Sequence, residues 1–267
     1  MMRFSIVTIT FNAAAVLERT LDSVLTQTWP HVEHLIVDGA STDGTVAMAE
    51  RYRQRSAKEA PGHEVTVLSE PDRGLYDAMN KGLALATGDY VLFLNAGDSL
   101  PGNGTLELVA GRVKALGDDK ALWPAVLYGD TNIVDGDGRY LRPRHLSAPC
   151  HLSWRSFRRG MVVCHQAFYA RLDIARRTPY DLDFRFSADV DWCIRVMKKA
   201  EQRHLPLLNV HAVVANYMEE GQSTLHHKAS LKERFYVMVR HYGYVSTVLM
   251  HVWFAGREMI RRLSQKF

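Results

Sequence analysis

Apolar residues in the first hundred positions fall into short unbroken runs, and each run ends in polar residues. Phe4 to Ile9 hands over to Thr10-Phe11-Asn12, and His34 to Val37 runs into Asp38-Gly39-Ala40-Ser41-Thr42-Asp43-Gly44-Thr45. Val65 to Leu68 is followed by Glu70-Pro71-Asp72-Arg73-Gly74, and Val91 to Leu94 leads into Asn95-Ala96-Gly97-Asp98. Short apolar runs without alternation, bounded by turn residues, predict strands buried on both faces. Between them the period changes. Val16, Leu17, Leu21, Val24 and Leu25 share one face of a helix over 13–27, and a helix over about 75–86 closes at Gly88. Strand alternating with helix implies parallel pairing, which gathers the polar run ends at the carboxyl edge of one sheet, where open α/β sheets bind ligands.

The second half is patterned differently. Val126 to Val134 reads as strand, and Asp135-Gly136-Asp137-Gly138 is a hairpin turn before Arg139-Tyr140-Leu141, so the sheet becomes mixed. After a basic loop come the segments 161–166 and 167–169. The segment from Phe184 then opens a helix running to about Ala200, with Asp189 and Asp191 near its start, where the helix dipole favours negative charge. In the tail Met238, Tyr242, Val245, Leu249, Val252, Met259 and Leu263 recur at helical spacing. They predict one amphipathic helix over about 229–263, weakened by Gly256 on the same stripe.

Composition narrows the class. A chain of 267 residues with 47% hydrophobic content can bury a full core, which excludes a disordered chain. Three cysteines without Cys-x-x-Cys spacing fit a reduced cytoplasmic protein better than a disulfide framework. The N-terminal apolar run, interrupted at Asn12, reads as a strand and not a signal peptide, and no stretch is long and apolar enough to span a bilayer. The net charge of +4 is modest, but segment 139–159 holds several arginines and no acid, and the tail from Lys228 is also basic. Such segments are most often a solvated face, less often a seat for a phosphate or an acidic membrane; nucleic acid is not an expected partner.

The ordered set Ser5-Ile-Val-Thr-Ile-Thr-Phe-Asn12, Ile36 to Thr45, Gly74 to Gly82 with Asn80, Phe93-Leu-Asn-Ala-Gly-Asp98 and Ala188-Asp-Val-Asp-Trp192 resembles glycosyltransferase family 2, the inverting enzymes of the GT-A fold. The resemblance covers roughly residues 3–220. It implies an α/β GT-A fold with a Rossmann-like, mostly parallel central sheet, a domain over 1–225 and a helical extension over 226–267. It implies transfer of a sugar, hexosyltransferase-like and metal-dependent, from a nucleotide-sugar donor (a UDP-sugar is favoured) to a glycan or lipid-linked acceptor in surface polysaccharide synthesis. By that resemblance Thr10, Asn12 and Asp38 hold the nucleoside; Arg73, Asn80 and Lys81 are further expected donor contacts, with a solvated helix face as the plainer reading of the two cations. Asp98 survives from the family's acidic metal signature, with Asn95 and Gly97 in place of its usual carboxylates, and would carry Mg²⁺ or Mn²⁺. Asp189 occupies the position of the catalytic base, its usual Glu neighbour replaced by Ala188, and Asp191 is the alternative base.

Each residue also has a plainer reading. Asp38 and Asp43 suit a turn and a helix cap, Asp98 suits a cap for a helix after Pro101, and Asp189 and Asp191 suit ordinary first-turn charges. His165 and Gln166 either line the acceptor side or serve as structural hydrogen-bonding groups, and His226 or His227 either completes a metal shell or is solvated. The tail stripe packs on the catalytic domain or on a second subunit as a homodimer. Its sharper reading is a helix lying peripherally on the inner face of the cell membrane, with Trp253 and Phe254 beside Arg257, Arg261, Arg262 and Lys266. Two rival functions remain open. A sugar nucleotidyltransferase normally needs a glycine-rich phosphate loop, and Asn12-Ala13-Ala14-Ala15 has no glycine. A non-catalytic nucleotide-sugar binding protein would bind without turnover.

Overall fold

The structure is a computed structural model that describes residues 1–219 and 227–264. Its strands are β1 (Phe4–Thr10), β2 (Val32–Asp38), β3 (His63–Ser69), β4 (Tyr90–Phe93), β5 (Val126–Val134), β6 (Tyr140–Pro143), β7 (Phe168–Arg171) and β8 (Leu207–Met218). They form one sheet in the order β3-β2-β1-β4-β7-β5-β6, with β8 pairing to β5. The first four strands are parallel, whereas β7 runs antiparallel to both β4 and β5. The hairpin expected at Asp135–Gly138 joins β5 to β6, with the Asp135 carboxylate accepting the N–H groups of Asp137 and Arg139.

The unbroken apolar runs are explained by burial. Every residue of β1 and β2 is buried, because helices cover both faces of this part of the sheet. Helices α1 (Ala14–Leu25), α2 (Thr45–Glu59) and α3 (Leu75–Leu85) connect the parallel strands, and α4 (Thr105–Lys114) follows β4. Leu17, Leu21 and Leu25 of α1 pack with Ile36, Ala49 and Tyr52 in one cluster. Helix α3 approaches β1 closely enough that a Cβ at Gly82 would lie 2.3 Å from Val7 Cγ1, so glycine is what lets the helix sit there.

After β7 come the short α5 (Leu172–Ala175) and then α6 (Ala188–Gln202), whose Trp192 is fully buried against Phe93, Phe168 and Tyr180. The tail differs from the single helix expected over 229–263. It consists of α7 (His227–Tyr242) and α8 (Tyr244–Ser264), broken at Gly243 with φ +81°, a left-handed conformation that costs glycine little. The break divides the apolar stripe. Met238 and Tyr242 are buried, whereas Val245, Leu249 and Val252 are exposed, Val245 by 72%. Residues 220–226 and 265–267, and the side chains of His227, Lys228 and residues 255–264, lie outside the described part; these include His226, Arg257, Arg261, Arg262 and Lys266.

Candidate active site

The parallel strands deliver their polar ends to one edge, and the loops there are laced together before any ligand arrives. Asp38, the last residue of β2, is buried and accepts hydrogen bonds from Thr10 Oγ1 (2.8 Å), Ser69 Oγ (2.8 Å) and both the N–H and hydroxyl of Ser41. Burial pushes its carboxyl up, but the donors from Ser41, Ser69 and Thr10 outweigh burial and hold it below the ordinary value, so it is ionised at neutral pH. Asn12 has φ +47°; its N–H donates to Ser41 Oγ and its Oδ1 accepts from Thr42 N–H (2.9 Å). Thr10, Asn12 and Asp38 therefore sit together, as their sequence positions imply. Phe11 stands beside them with 67% exposure, against the turn at Gly39, and the sequence reading gave it no role. An exposed aromatic ring at a ligand-binding strand end is the signal that singles it out.

Arg73 and Asn80 are placed differently from each other. The Arg73 guanidinium is exposed on the loop after β3 and meets Asp77 across one turn at 3.1 Å. Asn80 has both ends of its amide committed: Nδ2 donates to Tyr180 O (3.0 Å) and Oδ1 accepts Tyr180 N–H (2.7 Å). It is an anchor for the chain before α6.

Asp98, the expected metal ligand, is engaged by neighbouring groups of the protein. It is buried, Oδ1 accepts the Met218 N–H (2.9 Å), and Oδ2 accepts the Gln166 amide (2.8 Å). Burial raises its carboxyl to about 7, against the pull of Met218, Gln166 and Arg19. The side chain bolts the β4 loop to the end of β8 and to the turn before β7. Asn95 and Gly97 carry no carboxylate, and among the described residues no three His, Cys, Asp or Glu side chains are grouped to hold a metal ion. The described residues thus do not fit a protein-held divalent cation at this loop.

Asp189 and Asp191 share the first turn of α6 and face different surroundings. Asp189 is half-buried; its Oδ1 accepts from Tyr76 Oη (3.2 Å) and Val190 N–H (2.9 Å), and no described residue donates to Oδ2. Asp191 is fully buried and bound on both oxygens, to Arg195 through Oδ2 and to His241 Nε2 through Oδ1 (2.8 Å), with Arg240 at 3.6 Å. Burial alone would raise Asp191, yet His241 and Arg195 hold it below the ordinary value. It belongs to an ionic knot between α6 and α7. Glu233 of α7 adds a second tie, accepting the N–H groups of Arg185, Phe186 and Ser187 immediately before α6.

His165 is buried against the Phe93 ring, and burial lowers its pKa despite the Asp189 charge, so it is neutral at pH 7. Its neighbour Gln166 holds Asp98, which gives Gln166 the structural role of the two weighed for it.

Residues 5–164 match the family model described as glycosyl transferase family 2. The chain belongs to this family. Among its relatives in glycosyltransferase family 2 is a PGL/p-HBAD biosynthesis glycosyltransferase of Mycobacterium tuberculosis, 36% identical over 82% of this chain and 77% of that protein. An uncharacterized glycosyltransferase of the same organism is 31% identical over 95% of this chain and 90% of its own length. The fold is that of the GT-A glycosyltransferases. Staphylococcus aureus TarS 1–349, solved in complex with UDP-GlcNAc, superposes with a TM-score of 0.66 at 18% identity over 89% of this chain, which spans 64% of that one. A mannosyltransferase from Pyrobaculum calidifontis, solved with GDP-Man and Mn²⁺, gives 0.60 at 22% identity, over 90% of this chain and 64% of that one.

Proposed function

We propose that this glycosyltransferase moves a sugar with inversion from a nucleotide-sugar donor, a UDP-sugar by preference, to a hydroxyl of a glycan or lipid-linked acceptor in cell-surface polysaccharide synthesis. The observation that carries the reading is the contrast within α6. Asp189 is half-buried and no described residue donates to its Oδ2, while both oxygens of Asp191 are engaged, by Arg195 and by His241. Asp189 is therefore the base: it takes the proton of the acceptor hydroxyl as the hydroxyl oxygen attacks the anomeric carbon, the bond from that carbon to the diphosphate oxygen breaks, and its electron pair leaves with the nucleoside diphosphate. Asp191 receives no part in transfer. Thr10, Asn12 and Asp38 hold the nucleoside, with Phe11 offering a face to the base, and the exposed Arg73 is available to the donor's negative charge. The surface-glycan setting rests on the names of the mycobacterial relatives and of a Bacillus subtilis teichuronic acid biosynthesis glycosyltransferase, 38% identical over 35% of each chain.

The family resemblance and the Mn²⁺ of the Pyrobaculum structure favour Mg²⁺ or Mn²⁺ with the donor, but the engaged Asp98 argues against a ligand there, and no step above uses the ion. UDP or GDP is expected to raise the melting temperature in chelator as much as it does with Mn²⁺, since a ligand that binds only the folded state stabilises it. Stabilisation that requires Mn²⁺ and disappears in Asp98→Asn would return the cation to this loop.

The exposed face of α8 supports peripheral membrane contact. Tyr244, Val245, Leu249, Val252 and Trp253 are exposed, Arg158 borders the same groove, and no described helix is long and apolar enough to cross a membrane. An apolar face flanked by cations suits an anionic bilayer surface. The protein is expected to sediment with phosphatidylglycerol vesicles and not with phosphatidylcholine vesicles, and Leu249→Glu with Val252→Glu should release it. A wild-type protein that stays in the supernatant with both vesicles would end this reading.

A further inference from the structure

Two side chains on one face of α3 reach across to the chain that carries the proposed base. Tyr76 and Asn80 are four residues apart, so they stack one turn above the other. Asn80 clamps the backbone of Tyr180 through both ends of its amide. The Tyr180 ring in turn stacks on Tyr76 (5.5 Å between centroids) and on Trp192 of α6 (4.9 Å). Seated in this stack, the Tyr76 phenol donates a hydrogen bond to Asp189 Oδ1 at 3.2 Å and also meets the Asp189 backbone N–H. The Val190 N–H donates to that same oxygen.

We propose that Tyr76 is a positioning residue for transfer: its phenol and the Val190 N–H occupy Asp189 Oδ1 and so fix the carboxylate with Oδ2 turned to the acceptor hydroxyl. The proposal rests on Asp189 as the base. A carboxylate free to rotate about χ2 presents either oxygen to the cleft, whereas one held by two donors on a single oxygen presents only the other. Orientation of this kind lowers the barrier because the reacting atoms are aligned before the proton moves. The donor is also dependable. Burial, followed by the Asp189 charge, pushes the Tyr76 phenol well above its ordinary value, so it keeps its proton throughout the working range.

The other titratable groups around Asp189 come from several elements. Cys164 and His165 belong to the turn before β7, Tyr180 to the loop before α6, Cys193 to α6 itself and Glu233 to α7. Burial raises both thiols and the Tyr180 phenol and lowers His165, so none of these four gains charge near neutral pH. Glu233 is fixed by three backbone N–H groups and points at the start of α6.

Tyr76→Phe keeps the ring stack and removes one hydroxyl. At neutral pH, kcat is expected to fall about tenfold, the scale of one hydrogen bond to a charged group, with the donor KM unchanged. A structural defect lowers the melting temperature and disturbs KM as well as kcat, so a fall in kcat alone, at unchanged melting temperature and donor KM, separates positioning from it. Unchanged kcat in Tyr76→Phe, while Asp189→Asn is inactive, overturns the role of Tyr76 and leaves the base intact. Near-normal transfer by Asp189→Asn overturns the base and the proposal together.

Discussion

Asp189→Asn is expected to reduce transfer about 100-fold or more while leaving donor binding in place, the usual scale for losing a positioned general base. Asparagine keeps the shape of the side chain and its hydrogen bonds with Tyr76 and Val190, but cannot take the acceptor proton. The acid limb of the wild-type rate, which reflects the need for an ionised carboxylate, should vanish in the variant. Donor binding is read from thermal stabilisation by UDP-sugars, and transfer from release of the nucleoside diphosphate in the presence of acceptor. Stabilisation without any turnover in the wild type, across a broad panel of acceptors, would favour the non-catalytic binding protein.

Asp191→Ala should fail in the opposite manner, unfolding the protein more readily while sparing the chemistry of each folded molecule. Removing the buried carboxylate leaves Arg195 without its counter-charge and His241 without its hydrogen-bond partner, a loss of about 3 kcal/mol or more. In a chain of this size that corresponds to a melting temperature lower by roughly 6–12 °C. The pH dependence follows from the direction of the shift. Asp191 titrates lower in the folded state than the ordinary value of 3.8, so its contribution is complete above that value and is lost as the pH falls through the folded one. Acid unfolding of the wild type should therefore come at lower pH than in a variant without the carboxylate. If Asp191→Ala melts like the wild type and instead loses transfer as Asp189→Asn does, the assignments of the two aspartates are reversed.

What was legible in the sequence follows from how locally each feature is determined. Strands β1, β2 and β4 are buried on both faces and appear as unbroken apolar runs, and the β5–β6 turn is written in Asp135-Gly136-Asp137-Gly138. Strand β8 was not anticipated. Asn209, His211 and Asn216 interrupt its apolar pattern, and its register against β5 shifts twice, with His211 at φ +52°. The tail's stripe continues at helical spacing through Gly243, so periodicity alone could not reveal the break. In the site, the Asp38 turn is local, since its Ser41 partner lies three residues away. The contacts of Asn80 and Asp98 were not legible because their partners, Tyr180 and Met218, are 100 and 120 residues distant, and only the folded chain brings them together.

The ties between α6 and α7 bear on how this enzyme can be recombined. Glu233 holds the chain just ahead of α6, and His241 holds Asp191 within it, so the helix that carries Asp189 is completed by residues some forty to fifty positions later. A chimera joined near residue 226 would match one parent's α6 to another parent's brace, losing both contacts unless the partners happened to agree. A junction at Gly243 leaves them within one parent and exchanges only α8. The module that can be exchanged without disturbing the α6 brace is therefore the last helix alone.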